Sequence, residues 1–517
     1  MWARAERPNF RPLDLPGPEG LSDVAVVDVG SNSVRLVLYR VEDRAIWTVF
    51  NEKVLAGLGR GLAETGRLSP DGVEQAMGAL RRFRAVLDGV GRHAVFTAAT
   101  AAVREASDGA AFVARVARET GLQVRVLSGA EEAHYSALGV LAGQPGAEGV
   151  MGDLGGSSLE LTRLVGGRPE PGVTLPLGPF ALGAPKPLSL ERVRGFAAER
   201  LAGAADRFRC ETFFAVGGAW RNLALIQMSL HGYPLRVVHQ YEMSARDALE
   251  AARFVARQSR TSLDRLPGVS KKRADTLPYA ALVLEQIVER LGVKRIVLSA
   301  YGLREGLIYD AMGPATASGD PLVEGCAALG ARQGMSEHLG PALEAWLAPF
   351  WSTLEPLFPA PREQVLLAAA ARLADAGARL HPDHRGELVF EQVLRAPIAG
   401  QSHPERAYLA LAAYARYASQ PRPAEADALA RVLSPERTRR ARALGSALRL
   451  GCDLSGRSPV LLRQSSLARD GRALVLTASP EAADLLMGEQ TRKRLAALAE
   501  VLDLEPRTRT APLAQAL

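Results

Sequence analysis

The sequence predicts an α/β protein built on a duplicated core, and three observations predict it. The order β-β-β-α-β-α runs twice through residues 21–314. A strand that ends in Asp and runs into a Gly- and hydroxyl-rich turn opens each copy, at Asp28 and again at Asp153. After Gly313-Pro314 the strand signals stop and the apolar periodicity becomes helical.

Taken in order, residues 24–29 (VAVVDV) read as a buried strand, 33–40 alternate, and 45–50 are rich in β-branched and aromatic residues. Gly30-Ser31-Asn32 and Glu42-Asp43 supply the turns of a three-stranded meander. Ser69-Pro70-Asp71 opens a helix running to about Leu87. Strand 93–98, helix 108–119, strand 123–127 and helix 130–142 follow. The second copy has strands at 148–153, 158–164 and near 172–176, then helix 189–206, strand 212–216 and helix 219–230. Helix 271–291, strand 294–298 and helix 303–312 complete it. The expected domains are an N-terminal extension (1–20), two α/β domains (21–145 and 146–314), a helical domain (315–425) and a small basic α+β domain (426–517). The last carries a helix, apolar segments at 459–463 and 473–477, and a helix at 480–501.

Composition bounds the function. With 47% hydrophobic and 23% charged residues the chain is an ordinary globular one, not a disordered one. Cys210, Cys326 and Cys452 are odd in number, far apart and without metal-ligand spacing, so a reducing compartment is expected. The first twenty residues lack the apolar stretch of a secretory signal, and no run of apolar residues is long enough to span a bilayer. A cytoplasmic protein is the expectation. The net charge is +7, and residues 431–517 hold 15 Lys/Arg against 9 Asp/Glu, a net of +6. Such an end attracts a polyanion or simply forms a solvated surface.

The chemistry gathers in short motifs. Asp28-Val29-Gly30-Ser31-Asn32-Ser33 joins two strands; its glycine lets the backbone approach an anion, and the hydroxyls and amide add donors, although an ordinary tight hairpin has the same composition. Asp153-Leu154-Gly155-Gly156-Ser157-Ser158 repeats that grammar in the second copy, and the pairing favours two loops gripping a phosphate chain from both sides. Asp28 and Asp153 at strand ends, and Glu160 two residues past Ser158, offer hard oxygens suited to Mg²⁺. Glu131 and Glu132 follow Ser128-Gly129 at a helix start. Either caps the helix, or one faces the cleft as a general base. Arg104 after strand 93–98 can fork onto phosphate oxygens, and Gly217-Gly218 again joins a strand to a helix start.

The ordered set DVGSNSVRLVLY, ATAAVREAS, LSGAEEA, GDLGGSSLEL, LPLGPFAL, AVGGAWRNLA and YGLREGLIY resembles the exopolyphosphatase/guanosine-pentaphosphate phosphatase family over about residues 22–312. The resemblance implies duplicated actin-like (ribonuclease-H-like) domains and hydrolysis of terminal phosphate from inorganic polyphosphate. It implies Glu132 as catalytic base and Asp153 and Glu160 at a Mg²⁺ or Mn²⁺ site, which Asp28, from its place at the strand end, is expected to face. Its phosphate-binding positions fall on Ser31, Asn32, Arg104, Gly155, Gly156, Ser157, Ser158 and Gly218, and Ser33, a donor of the first loop, is expected to join them. Ser157 stands where members often have a third glycine, and Ala219 where they often have threonine.

The helical region resembles the HD-type domain of long members, with Ala374 of Leu373-Ala374-Asp375 in place of a metal-binding histidine. His381, His384 and His403 are expected to be surface histidines. A homodimer is expected from the resemblance; neither nucleic acid nor membrane is an expected partner. The alternatives are guanosine pentaphosphate (pppGpp) hydrolysis to the tetraphosphate, phosphotransfer between polyphosphate and a nucleotide, and a non-catalytic polyanion-binding module.

Overall fold

The structure, a computed structural model, describes residues 21–91, 94–184, 189–266, 273–313, 317–418, 423 and 429–513. The N-terminal extension, and residues 419–422 and 424–428 near the expected boundary of the last two domains, lie outside the described residues. The chain forms two compact units, residues 1–318 and 319–517.

In the first unit, β1 (Leu21–Val29), β2 (Val34–Glu42) and β3 (Ala45–Val54) form the expected meander. β4 (Ala94–Ala99) and the two-residue β5 (Arg125–Val126) add in parallel, giving the order β3-β2-β1-β4-β5. The second sheet contains β6 (Gly149–Leu154), β7 (Leu159–Val165), β9 (Val173–Leu175), β10 (Thr212–Val216) and β12 (Arg295–Leu298). Their order, β9-β7-β6-β10-β12, is that of the first sheet with the same parallel and antiparallel senses. The duplication expected from the sequence is therefore present strand for strand. A hairpin strand, β8 (Arg168–Pro169), and an edge strand, β11 (Glu242–Ser244), are extra.

Strands buried on both faces explain the continuous apolar runs: Val24 to Val27 are fully buried, as are Phe213 and Ile296. Helices Gly129–Gly143 and Leu303–Ala311 cross between the two sheets at glycines. A Cβ on Gly306 would lie 1.7 Å from the Tyr135 carbonyl oxygen, and one on Gly139 2.1 Å from that of Gly302. Only backbone fits at that crossing.

Residues 231–270, unassigned from sequence, hold β11 and helix Ala245–Ala256, whose N-cap Ser244 accepts from the Asp247 amide. The expected helix 271–291 is helical only from Leu277; residues 271–272 lie outside the described residues.

The second unit holds helices Pro321–Arg332, Leu339–Trp351, Ala360–Arg372, Arg385–Arg395 and His403–Tyr417, followed by Pro435–Ser455 and Glu489–Leu502. The guanidinium of buried Arg406 donates to the carbonyls of Leu394, Ala396 and Ile398, closing the end of helix Arg385–Arg395. The apolar segment 459–463 forms a helical turn, Pro459–Leu462, because Pro459 and the Ser458 cap start it. The strands are β13 (Ser465–Asp470), β14 (Ala473–Ala478) and β15 (Glu505–Thr510), in that order in one sheet. His381 and His384 are exposed as expected, but His403 is buried, since it begins a Ser402-capped helix packed on both sides. No helix among the described residues is long and apolar enough to cross a membrane.

Candidate active site

Two loops at the ends of β1 and β6 face each other, and both fold the same way. The Gly30 amide donates to the Ser33 carbonyl at 3.0 Å, and the Gly155 amide to that of Ser158 at 2.9 Å. Asp28 and Asp153 each precede that glycine by two residues. The loops touch: a Cβ on Gly156 would come within 3.0 Å of Ser31 Cβ. Between them and the helices behind lies a cavity of about 390 Å³. Ser31, Asn32, Ser33, Gly155, Gly156, Ser158 and Gly218 all line it, as do Asp28, Glu132, Asp153 and Glu160. Helix Gly218–Leu230 points its uncapped N-terminus at the same space, so its first amides are available to an anion.

The two glutamates at the start of helix Gly129–Gly143 part ways. Glu131 closes a capping box: the Ser128 amide and hydroxyl donate to its Oε2 at 2.8 and 2.9 Å, and Arg125 pairs with its other oxygen. Burial opposes its ionisation, but the Ser128 and Arg125 hydrogen bonds outweigh it and hold the carboxyl below its usual value. Glu132, one residue on, is buried and turns into the cavity. Burial pushes its carboxyl up to about 7 against the pull of Arg104, with the charges of Asp153 and Asp28 adding to the rise.

Arg104, expected to meet phosphate, instead donates to Glu132 Oε2 at 3.0 Å and to the Leu127 carbonyl at 2.9 Å, and is not among the cavity-lining residues. Ser157 does not line the cavity either; its side chain is buried and its carbonyl accepts from Gly178. Asp153 accepts from the Ser136 hydroxyl at 2.6 Å, and burial raises its carboxyl. Glu160 is almost fully buried, and its Oε1 has no hydrogen-bond partner among the described residues. Burial first, then the charges of Glu132 and Asp153, raise its carboxyl well above the ordinary range. Asp28 is engaged by Arg304 at 2.9 Å.

Facing these acids are five cations that sequence reasoning left without a role: Arg35, Lys53, Arg221, Arg273 and Arg304 all line the cavity. Three sit inside the motifs quoted above, yet an Arg in a strand or helix start reads as a surface residue until register brings it inward. Arg35 and Lys53 face each other across β2 and β3. Arg273 lies so close against Gly218 that a Cβ there would come within 2.3 Å of its guanidinium, which gives that glycine a reason in side-chain space. Burial and the neighbouring guanidiniums of Arg273 and Arg35 hold the Lys53 ammonium down to about 7.

Residues 37–314 match the model of the Ppx/GppA phosphatase family, more than half of the chain. The chain belongs to the Ppx/GppA phosphatase family. It is a phosphatase, a hydrolase of phosphoanhydride bonds. Residues 360–505 match a second model, the C-terminal region of exopolyphosphatases. Among curated Ppx/GppA relatives, exopolyphosphatase 2 of Mycobacterium tuberculosis is 27% identical over 320 residues, spanning 57% of this chain and 99% of that protein. Exopolyphosphatase 1 of Mycobacterium bovis is 25% identical over 315 residues, spanning 58% and 91%. The solved structure of an exopolyphosphatase from Cytophaga hutchinsonii covers 56% of this chain and 97% of its own, at 22% identity and a TM-score of 0.52; it shares the fold.

Proposed function

We propose that this Ppx/GppA member removes terminal orthophosphate from inorganic polyphosphate, with Glu132 as general base and Mg²⁺ or Mn²⁺ held by Asp153 and Glu160 beside Asp28. The single observation that carries the reading is the wall of one cavity, which four carboxylates, five basic side chains and two amide-rich loops line together. A chain of phosphoryl groups, each carrying negative charge, is the ligand such a wall suits.

The acids fit a metal. Asp153 and Glu160, both raised by burial and by neighbouring carboxylates, with Glu160 Oε1 unpartnered among the described residues, form a place where a cation would relieve repulsion. No group of three or more metal-ligating side chains stands together among the described residues. That suits Mg²⁺, which keeps waters and takes one or two carboxylates plus phosphate oxygens. When bound, the metal neutralises charge on the phosphoryl oxygens.

The chain's own residues do the rest. The Ser31–Ser33 and Gly155–Ser158 loops fix the terminal phosphoryl group, and Ser33, Ser158 and the first amides of helix Gly218–Leu230 donate to its oxygens. Glu132, oriented by Arg104, takes a proton from the attacking water. The water oxygen bonds to phosphorus as the bridging P–O bond breaks, and orthophosphate leaves. Arg35, Lys53, Arg221 and Arg273 stabilise the charge left on the shortened chain.

The test is phosphate release from long polyphosphate, tripolyphosphate, pppGpp and ATP side by side. Fastest turnover on polyphosphate is expected; faster turnover on pppGpp would move the assignment to a guanosine-pentaphosphate phosphohydrolase, and release from none of them would leave a binding module.

A further inference from the structure

Of the basic side chains that line the active-site cavity, one differs in kind. Arg35, Arg221, Arg273 and Arg304 carry guanidiniums, whereas Lys53 carries an amine. The chain holds just six lysines among its 63 basic residues, so an amine at this place does not follow from composition. A guanidinium stays protonated at any working pH and is no nucleophile; an amine that loses its proton is one.

Strand register explains its surroundings. Asp28, Arg35 and Lys53 stand in one row across β1, β2 and β3, so all three project from the same face of the sheet, and all three line the cavity. Arg35 lies between Lys53 and the one carboxylate of that row, and Asp28 is already paired with Arg304 at 2.9 Å. Glu52, next to Lys53 in the chain, belongs to the opposite face and accepts from Arg82 at 2.6 Å. Among the described residues no hydrogen bond or ion pair engages the Lys53 ammonium. The charges that reach it are those of Arg273, Arg35, Asp28 and Arg304, three of them positive. Like charges directly opposite in a sheet repel, which favours the neutral amine. Crowding by the cavity walls, then Arg273 and Arg35, hold the ammonium down to about 7, although the residue as a whole is open to solvent. Lys53 is thus able to lose its proton and within reach of a small solute.

We propose that Lys53 is a modification site, acylated by a small acyl phosphate that enters the cavity in place of a phosphate chain. The inference rests on the phosphate-binding role proposed above. The phosphoryl end of such a molecule has the charge and oxygens of a terminal phosphoryl group, so it meets the same two loops. Its acyl group then takes the place of the next phosphoryl group, beside Lys53 and the arginines. There the acyl carbon offers the amine an electrophile. The Lys53 nitrogen attacks that carbon and an N–C bond forms. The C–O bond to phosphate breaks, and orthophosphate leaves with the proton that the amine gives up. The product is an uncharged amide. It removes one cation from the wall and adds bulk beside the phosphate loops, so it blocks longer phosphate chains.

Acetyl phosphate is the probe, and peptide mass spectrometry of the full chain reads the acetyl-lysines. Lys294, exposed and paired with Glu211, is the reference. At pH 7 Lys53 should be acetylated at least about tenfold faster than Lys294, because an ordinary lysine, at about 10.4, is almost wholly protonated there. Excess methylenediphosphonate, whose P–C–P bridge cannot be hydrolysed, should suppress labelling at Lys53 and leave that at Lys294 unchanged. Phosphate release by the parent chain should fall in step with acetylation of Lys53. Lys53→Arg, whatever its starting rate, should hold that rate under the same treatment. Equal labelling of the two lysines, or labelling of Lys53 that the phosphonate does not slow, overturns the proposal, and leaves the function standing if polyphosphate is still hydrolysed. Phosphonate-sensitive labelling of Lys53 in a chain that releases phosphate from none of the substrates tested keeps the site and removes the hydrolytic reading instead.

Discussion

At the scale of single residues, the neighbours Glu131 and Glu132 are separated by what each touches. Successive helical residues point about 100° apart, so one turns back to cap the helix while the other enters the cleft. Glu132→Gln is expected to lower phosphate release by roughly 10²–10⁴-fold while the phosphonate still binds, because only the base is lost. Glu131→Gln should leave turnover nearly intact and cost roughly 1 kcal/mol of stability through the cap, read by denaturant titration. An inactive Glu131→Gln beside an active Glu132→Gln would reverse the assignment. The same pair yields a pH prediction. A base whose carboxyl stands at about 7 is protonated below that value, so the rate should fall as pH drops through 7. Arg104 lowers that value, so Arg104→Met should move the acid limb to higher pH, and Arg104→Lys should move it part of the way back. An unmoved limb would mean that Arg104 does not act through Glu132. The proposed metal ligands are tested separately. Asp153→Asn or Glu160→Gln should cut activity severely in folded protein, and full activity of either in chelator-treated buffer would remove that assignment.

At the scale of elements, what could be seen in the sequence was what depends on local chemistry. Strand ends, glycine turns and helix starts placed both loops and Glu132 within a residue or two, since backbone φ/ψ demands and caps are written locally. Helix Ala245–Ala256 was missed although Ser244 and Asp247 mark its start and Ala248, Ala251, Ala252 and Val255 recur at helical spacing on its buried face. The cation wall was missed for a physical reason. Arg35 comes from one sheet, Arg221 and Arg304 from two helix starts and Arg273 from a turn, so nothing in their spacing predicts that they meet. Arg104 shows the converse: its position near the site was legible, but its partner, 28 residues on, was not. The glycine crossing between helices Gly129–Gly143 and Leu303–Ala311 is equally tertiary. Gly306→Ala should cost about 3 kcal/mol, the upper end for overpacking, because backbone rather than a flexible side chain blocks the new methyl. It should also lower activity, since these two helices present Glu132 and Arg304. A variant as stable as the parent in denaturant titration would show that the crossing can spread at little cost.

At the scale of the whole molecule, the basic end of the chain calls for a different reading from the one its charge suggests. Residues 319–517 hold 24 Lys/Arg and 22 Asp/Glu, a net of only +2, so the +6 after residue 430 is offset within the same unit. A diffuse basic tail is thus a weak attractor for a polyanion. The boundary matters as well. Helix Pro435–Ser455 packs on helix His403–Tyr417, so a deletion from residue 431 would cut through a core. The cut with a physical basis follows Ser318. The mycobacterial relative supports it, since 99% of its length is matched by 57% of this chain, and the family match at 37–314 lies inside the first unit. Residues 1–318 alone should therefore fold and hydrolyse tripolyphosphate at near the parental rate. On long polyphosphate the truncated chain should lose affinity, and its KM should depend less steeply on salt than that of the full chain, because fewer phosphates are held. Equal losses on both substrates would mean that the second unit supports the fold of the first rather than the grip on the polymer.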